Sequence, residues 1–312
     1  MNLTPLAALW INVCINSFIP IFGYLAARRV SPVLFAFLGS ALGFASFVPW
    51  IIKKNLLREY FRSRLWPSLL GIGFFGSALP IIGLVVALKY TTPANAAIIG
   101  QIEAIYSIIL TSIFLREKIC AKQLAGTALV LGGTMLIVFK ERFTFRWTGD
   151  LIVMAVPLSY QISHLISKKL PKGMSHTFVA SARTLFAALG ILPLFAAGFF
   201  TPVFHFQPDP KTLWIVLAWG LVLTAFNNIL WYRAILNMDL SKATAIVLSY
   251  PVFTAILSSA LGLERIQAYQ IAGLMLALCG AYWVTTLVRE QHKLRAVPEP
   301  AAETSLLSRQ EV

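Results

Sequence analysis

Two ionisable side chains stand in apolar runs that offer them no water: Glu103, within residues 93–115, and Arg183, within residues 177–200. Glu103 lies ten residues into its run, about 15 Å along a helix rising ~1.5 Å per residue, too deep to reach a headgroup. A charge at that depth costs roughly 2.5–3.5 kcal/mol or more, so the carboxyl must face a cavity, find a partner or carry a proton. The competing reading is a structural carboxyl bonded to a neighbouring helix. Arg183, seven residues into its run, either snorkels towards headgroups or grips a carboxylate as a bidentate fork. A Glu103–Arg183 pair is a third option. Asn12 and Asn16 share a helical face at i, i+4, as do Tyr160 and His164. Each pair suits a polar cavity or an interhelical hydrogen bond, and His164, the one intramembrane histidine, has the chemistry of a proton relay. Asn227, Asn228 and Trp231 form a third polar group. Tyr250, Tyr282 and Trp283 offer stacking surface or, at helix ends, interface anchors.

The elements that must position these groups follow from composition. The chain has 312 residues, 58% hydrophobic and 12% charged, against about 25% charge in an ordinary soluble domain. A soluble globule of this size could not hide so much apolar material. The excess falls in blocks long enough to cross roughly 30 Å of hydrocarbon. Ten spans are predicted, at 3–27, 32–52, 65–88, 93–115, 122–139, 150–167, 177–200, 213–235, 241–263 and 267–288. The segment 289–312 is charged, Pro-containing and aperiodic, and reads as a disordered cytoplasmic tail. The fold class is therefore an all-α polytopic membrane protein. Three scattered cysteines, Cys14, Cys120 and Cys279, make no disulfide framework, and the histidines have no metal-ligand spacing. Gly71–Gly76 spells G-x-G-x-x-G, but inside an apolar helix with no preceding strand it is a packing surface and not a nucleotide fingerprint. No cofactor, metal, nucleic-acid partner or catalytic constellation is predicted.

The net charge of +14 resides in short loops, where it sets topology and adds an attraction to anionic lipid headgroups. With the N-terminus inside, the cytoplasmic loops and tail carry 17 Lys and Arg and the opposite loops carry 8. Both termini are thereby predicted to be cytoplasmic, in a bacterial inner membrane.

Residues 87–134 align with 234–281 at a constant offset of 147, without gaps, and 15 of the 48 positions are identical. Fixed-offset self-similarity marks a duplication. Its anchors are Glu117/Glu264, Gly126/Gly273, Gln123/Gln270 and Gly133/Gly280. Five spans per half is an odd number, so the second copy must be inserted upside down. Inverted repeats meeting at a midplane site are a recurring build of secondary transporters. The expected units are residues 1–143, residues 144–288 and the tail.

The stretches ALKYTTPANAAII, LREKICAKQLAGTALVLGG and AILNMDLSKATAIVLSYPVFTAILSSALGLERIQAYQIAGLMLALCG resemble the two EamA domains of the drug/metabolite transporter superfamily. Each half has a small-residue helix, a Glu at the hairpin and a Gly-rich helix. The resemblance implies ten helices, cytoplasmic termini and export or uptake of a small metabolite. Taken together, the sequence predicts a secondary transporter, read as an exporter, of a small metabolite such as an amino acid, working by alternating access, with protons as the candidate coupling ion. The alternative is a multidrug-type carrier of amphipathic compounds. A membrane-embedded enzyme or a receptor ranks below both.

Overall fold

The structure is a computed structural model that describes residues 3–27, 29–62, 64–87, 90–91, 96, 99–138, 146–171, 173–199, 205–262 and 267–296. Glu264 of the repeat, Arg28, Lys89, Arg142, Lys172 and residues 297–312 lie outside the described residues.

The first span begins at α1 (Pro5–Asn16), where Pro5 takes a position needing no N–H donor and the Thr4 hydroxyl accepts from Ala7 N at 3.2 Å. It does not run unbroken to residue 27: Ser17 and Phe18 interrupt it before α2 (Ile19–Ala27). The Ser17 carbonyl freed near that interruption accepts from Thr254 Oγ1 at 3.0 Å, since a backbone group within lipid must find a protein partner. Next come α3 (Pro32–Lys53), the short α4 (Leu57–Tyr60), and α5 (Trp66–Gly73), which passes through a π-helical segment, Phe74–Ala78, into α6 (Leu79–Ala87). Then follow α7 (Glu103–Leu110) with a second π segment, Thr111–Leu115, and α8 (Ala121–Val138).

The remainder comprises α9 (Trp147–Lys168), α10 (His176–Phe199), and α11 (Pro210–Ala218), which continues through a π segment, Trp219–Phe226, into α12 (Asn227–Ile235). After it come α13 (Leu240–Val247), α14 (Tyr250–Ala260) and α15 (Ala268–Ala296). The last helix passes the predicted end at 288 by eight residues. Among the described residues, eight helical stretches are long and apolar enough to cross a membrane. The chain is an integral membrane protein.

Two further interruptions were not foreseen. Gln101–Ile102 precedes α7, and Leu248–Ser249 separates α13 from α14; the two breaks are 147 residues apart. The π segments Phe74–Ala78 and Trp219–Phe226 likewise overlap at that offset. A π turn leaves backbone groups that the regular ladder would have used, and here side chains take them. Ser163 Oγ donates to the Ile72 carbonyl at 2.9 Å and Ser159 Oγ to the Phe75 carbonyl at 2.7 Å. Arg183 takes the Gly76 carbonyl.

Helices α8 and α15 touch backbone to backbone. A Cβ on Gly133 would stand 2.5 Å from Gly273 O and 2.4 Å from Ala277 N, and one on Gly280 would stand 2.6 Å from Gly126 O and 2.7 Å from Val130 N. As numbering rises along one helix it falls along the other, so the pair is antiparallel. The offset of 147 exchanges each of these contacts with its mate.

Among the described residues, the largest hydrophobic core gathers at the end of the bundle that carries Leu56, Leu65, Leu170, Met174 and Leu236. Ile51, Tyr60, Leu69, Phe178, Ile235 and Leu240 meet there, and the Tyr60 hydroxyl bonds Ser181 Oγ at 2.7 Å. Burial pushes the Tyr60 phenol above its ordinary range, with the Ser181 bond opposing. At the opposite end, Val30 pairs with Phe206 in an antiparallel bridge, and Arg29 forms an ion pair with Asp209.

Candidate functional site

A cavity of about 340 Å³ lies inside the bundle. Its lining includes Asn12 and Asn16 of α1, Glu103 of α7, Tyr160 and His164 of α9, Arg183 of α10, and Asn227, Asn228 and Trp231 of α12. These nine are the polar residues singled out from the sequence, drawn together from five helices. Ser77, Thr224, Tyr250, Leu223, Val247, Leu248 and Ile19 complete the wall.

The three asparagines Asn12, Asn16 and Asn227 form a closed ring. Asn12 Nδ2 donates to Asn227 Oδ1 at 2.7 Å, Asn227 Nδ2 to Asn16 Oδ1 at 2.6 Å, and Asn16 Nδ2 to Asn12 Oδ1 at 3.0 Å. Asn12 also donates to the Asn227 carbonyl at 3.1 Å, where the π segment rejoins the α-helix. The ring ties α1 to α12, and its members also line the chamber.

Arg183 does not snorkel. It is 9% exposed, with Nε donating to Ser77 Oγ at 3.0 Å and Nη2 to the Gly76 carbonyl. Its guanidinium lies 6.0 Å from the centre of the Tyr232 ring, within reach of a cation–π attraction. These contacts aim the planar group and leave Nη1 without a partner among the described residues. Nor does Glu103 pair with Arg183: no ion pair joins them among the described residues. Instead Glu103, the first residue of α7 and not the middle of a continuous helix, accepts from Gln161 Nε2 at 3.0 Å. The chamber thus presents one carboxylate and one separately anchored guanidinium, the two groups that would meet an ammonium and a carboxylate on a small molecule.

His164 packs against Trp231 at 4.9 Å between ring centres, and among the described residues neither His164 Nδ1 nor Trp231 Nε1 has a partner. Tyr250 faces the chamber, whereas Tyr282 and Trp283 lie on the outer surface, 65% and 39% exposed. Glu117 stands away from the cavity and caps a helix. Its carboxylate accepts from Leu240 N at 2.7 Å, Ser241 N at 3.1 Å and Ser241 Oγ at 2.6 Å, so a negative group meets the N-terminal end of α13. Gln123 Nε2 adds a bond to Ser241 Oγ at 2.9 Å. Of the glycine anchors, Gly126 and Gly273 both lie in the α8–α15 contact.

Sequence reasoning passed over Ser77 and Gln161. Ser77 follows Gly76 in a span that carries no ionisable group, so only the π turn reveals why a hydroxyl is useful there. Gln161 sits between Tyr160 and the His164 face, and its partner is visible only once α7 and α9 are packed.

A polytopic helical membrane protein enclosing a polar chamber has the build of a transporter. The model of the EamA-like transporter family matches the chain twice, over residues 5–139 and 147–286. The chain belongs to that family. An uncharacterized transporter of Archaeoglobus fulgidus is 24% identical over 293 residues, covering 92% of this chain and 98% of the relative. A protein of Escherichia coli K12 named as a probable amino-acid metabolite efflux pump is 25% identical over 225 residues, 69% of this chain and 75% of its own. A solved crystal structure of 18% identity matches with a TM-score of 0.76 over 90% of this chain and 97% of that one, which shows a shared fold.

Proposed function

We propose that the chain is a secondary carrier that exports a small zwitterionic metabolite, such as an amino acid, across a bacterial cytoplasmic membrane by alternating access. In this reading ten spans form two inverted halves, residues 1–143 and 144–288, with both termini in the cytoplasm. Support for the inversion comes from the antiparallel α8–α15 contact. A two-fold that exchanges antiparallel helices runs across them, in the membrane plane, whereas an axis along the membrane normal would pair parallel helices. The interruptions 147 residues apart agree with this.

The observation that carries the substrate class is the pair Glu103 and Arg183 in the lining of one chamber, each held by its own partner. A substrate with both an ammonium and a carboxylate meets each charge with its opposite.

The test is counterflow in proteoliposomes preloaded with single amino acids, with the decarboxylated amine of each as the control. Exchange with the amino acid and none with the amine is expected, and Arg183→Lys, which keeps the charge but loses the planar fork, should weaken exchange about tenfold or more. The aromatic wall of Tyr160, Trp231 and Tyr250 favours a second reading, a multidrug-type carrier. Exchange driven by tetraphenylphosphonium and by no amino acid would establish that reading and end the first.

A further inference from the structure

The π segments Phe74–Ala78 and Trp219–Phe226 meet their neighbours in the same way. Where α10 passes the first, a Cβ on Gly73 would stand 2.4 Å from Phe186 Cβ. Where α3 passes the second, a Cβ on Gly220 would stand 2.6 Å from Leu42 Cβ and 3.4 Å from Gly39 O. Gly73 and Gly220 are 147 residues apart, as are Gly39 and Phe186, and the same offset takes Ser77 to Thr224. Ser77 and Thr224 both line the chamber. What differs is the partner. Ser77 Oγ accepts from Arg183 Nε at 3.0 Å, but the residue of α3 that answers to Arg183 is Ala36, which has nothing to donate.

Thr224 is therefore left with a hydroxyl that has no partner among the described residues, while its methyl packs on α3, 3.1 Å from the Cβ position of Gly43. Four residues on, Asn228 also lines the chamber. It stands outside the asparagine ring, and its amide likewise has no partner among the described residues. Unlike Trp231 Nε1 and His164 Nδ1, neither group is sealed within the wall. The span from α11 to α12 brings no charged side chain to the chamber lining.

We infer that Thr224 and Asn228 form a side-chain subsite that selects metabolites whose side chain is uncharged and hydrogen-bonding, ending in a carboxamide or a hydroxyl. This rests on the reading of Glu103 and Arg183 as the groups that take the ammonium and the carboxylate, which leaves the rest of the chamber of about 340 Å³ for the side chain. The Asn228 amide offers an acceptor oxygen and two donor hydrogens, and the Thr224 hydroxyl offers one donor and its lone pairs. A carboxamide meets such an amide as donor and acceptor at once; a hydroxyl meets either group. An apolar side chain of the same shape displaces water from both groups and gives no bond back, which loses affinity. Sites that hold polar groups for a substrate reject the analogue that leaves those groups unpaired.

The test is isothermal titration of the purified full-length protein in lipid nanodiscs with two near-isosteric pairs, asparagine with leucine and threonine with valine. The polar member of each pair should bind about tenfold or more tighter, the scale set by leaving a bonding group unsatisfied. Thr224→Val keeps the methyl on Gly43 and removes only the hydroxyl. In that variant and in Asn228→Leu the ratio should fall to about threefold or less through weaker binding of the polar member, and Thr224→Ser should restore it. Should Asn228→Leu fail to fold, the isosteric Thr224→Val decides alone. Equal binding within both pairs, or a preference unchanged by the substitutions, overturns the inference and leaves the zwitterion reading standing. Decarboxylated amines run alongside test that reading by itself: amines that bind as tightly as their amino acids end it, and this placement of the side chain with it. Binding of none of the four amino acids likewise ends both.

Discussion

The α8–α15 contact makes a quantitative demand on three neighbouring substitutions. In Gly133→Ala the new Cβ would lie 2.4 Å from Ala277 N and 2.5 Å from Gly273 O, both backbone atoms that no rotamer change can move. Ordinary carbon contacts need ~3.5 Å or more, so the helices must part by about 1 Å. A gap of that size forfeits a quarter to a half of the dispersion well at every contact along the seam, and overpacking of this kind costs about 1–3 kcal/mol. We expect the upper part of that range. Gly280→Ala, facing Gly126 O at 2.6 Å and Val130 N at 2.7 Å, should cost the same. The double variant should cost well under the sum, because helices parted for one Cβ already admit the other. Among the described residues nothing lies within 4 Å of the Cβ position of Gly132, so Gly132→Ala should be neutral or stabilising by up to ~1 kcal/mol through helix propensity. Equilibrium unfolding in mixed micelles, followed by tryptophan fluorescence, gives all four values. Additive costs, or Gly132→Ala as damaging as Gly133→Ala, would refute the paired close approach.

Glu117→Ala strips the acceptor from Leu240 N and Ser241 N; a loss of about 2–3 kcal/mol is expected in the same assay, with Glu117→Gln recovering part of it. Asp209 caps α11 by accepting from Thr212 N, and that bond, aided by Arg29, holds its carboxyl below the ordinary range. A depressed carboxyl contributes stability above its unfolded value and loses it as pH falls through its folded one. Thermal unfolding from neutral to acid pH should therefore show a drop at the acid end that Asp209→Asn flattens; an identical drop in that variant would assign it to other groups.

Much of this architecture is legible because lipid imposes it. An apolar run long enough to cross the membrane must be helical, and a polar residue within it must face protein or cavity, which is why Glu103, Arg183 and the asparagines could be singled out one span at a time. What the sequence hides is where helices depart from regularity. Gln101–Ile102 and Leu248–Ser249 carry no glycine or proline, although Gly100 and Pro251 stand nearby, and Gly76-Ser77 in the π segment Phe74–Ala78 reads equally well as a packing surface. These irregularities are bought by tertiary bonds, such as those from Ser159, Ser163 and Arg183, that no single span contains. The same limit applies to Glu117. Its recurrence in both halves marked it as an anchor, but its cap on α13 joins residues 123 positions apart.

The ring of Asn12, Asn16 and Asn227 has a consequence for how this chain can evolve. Each amide gives one hydrogen bond and receives one around the circuit, so the three positions are inherited as a single character. A chain that changes one of them strands a donor in one neighbour and an acceptor in the other, and neither remaining asparagine can repair both. Intermediate genotypes are therefore worse than either endpoint, and the triplet should be retained or replaced as a block, while Asn228, which stands outside the circuit, is free to change alone.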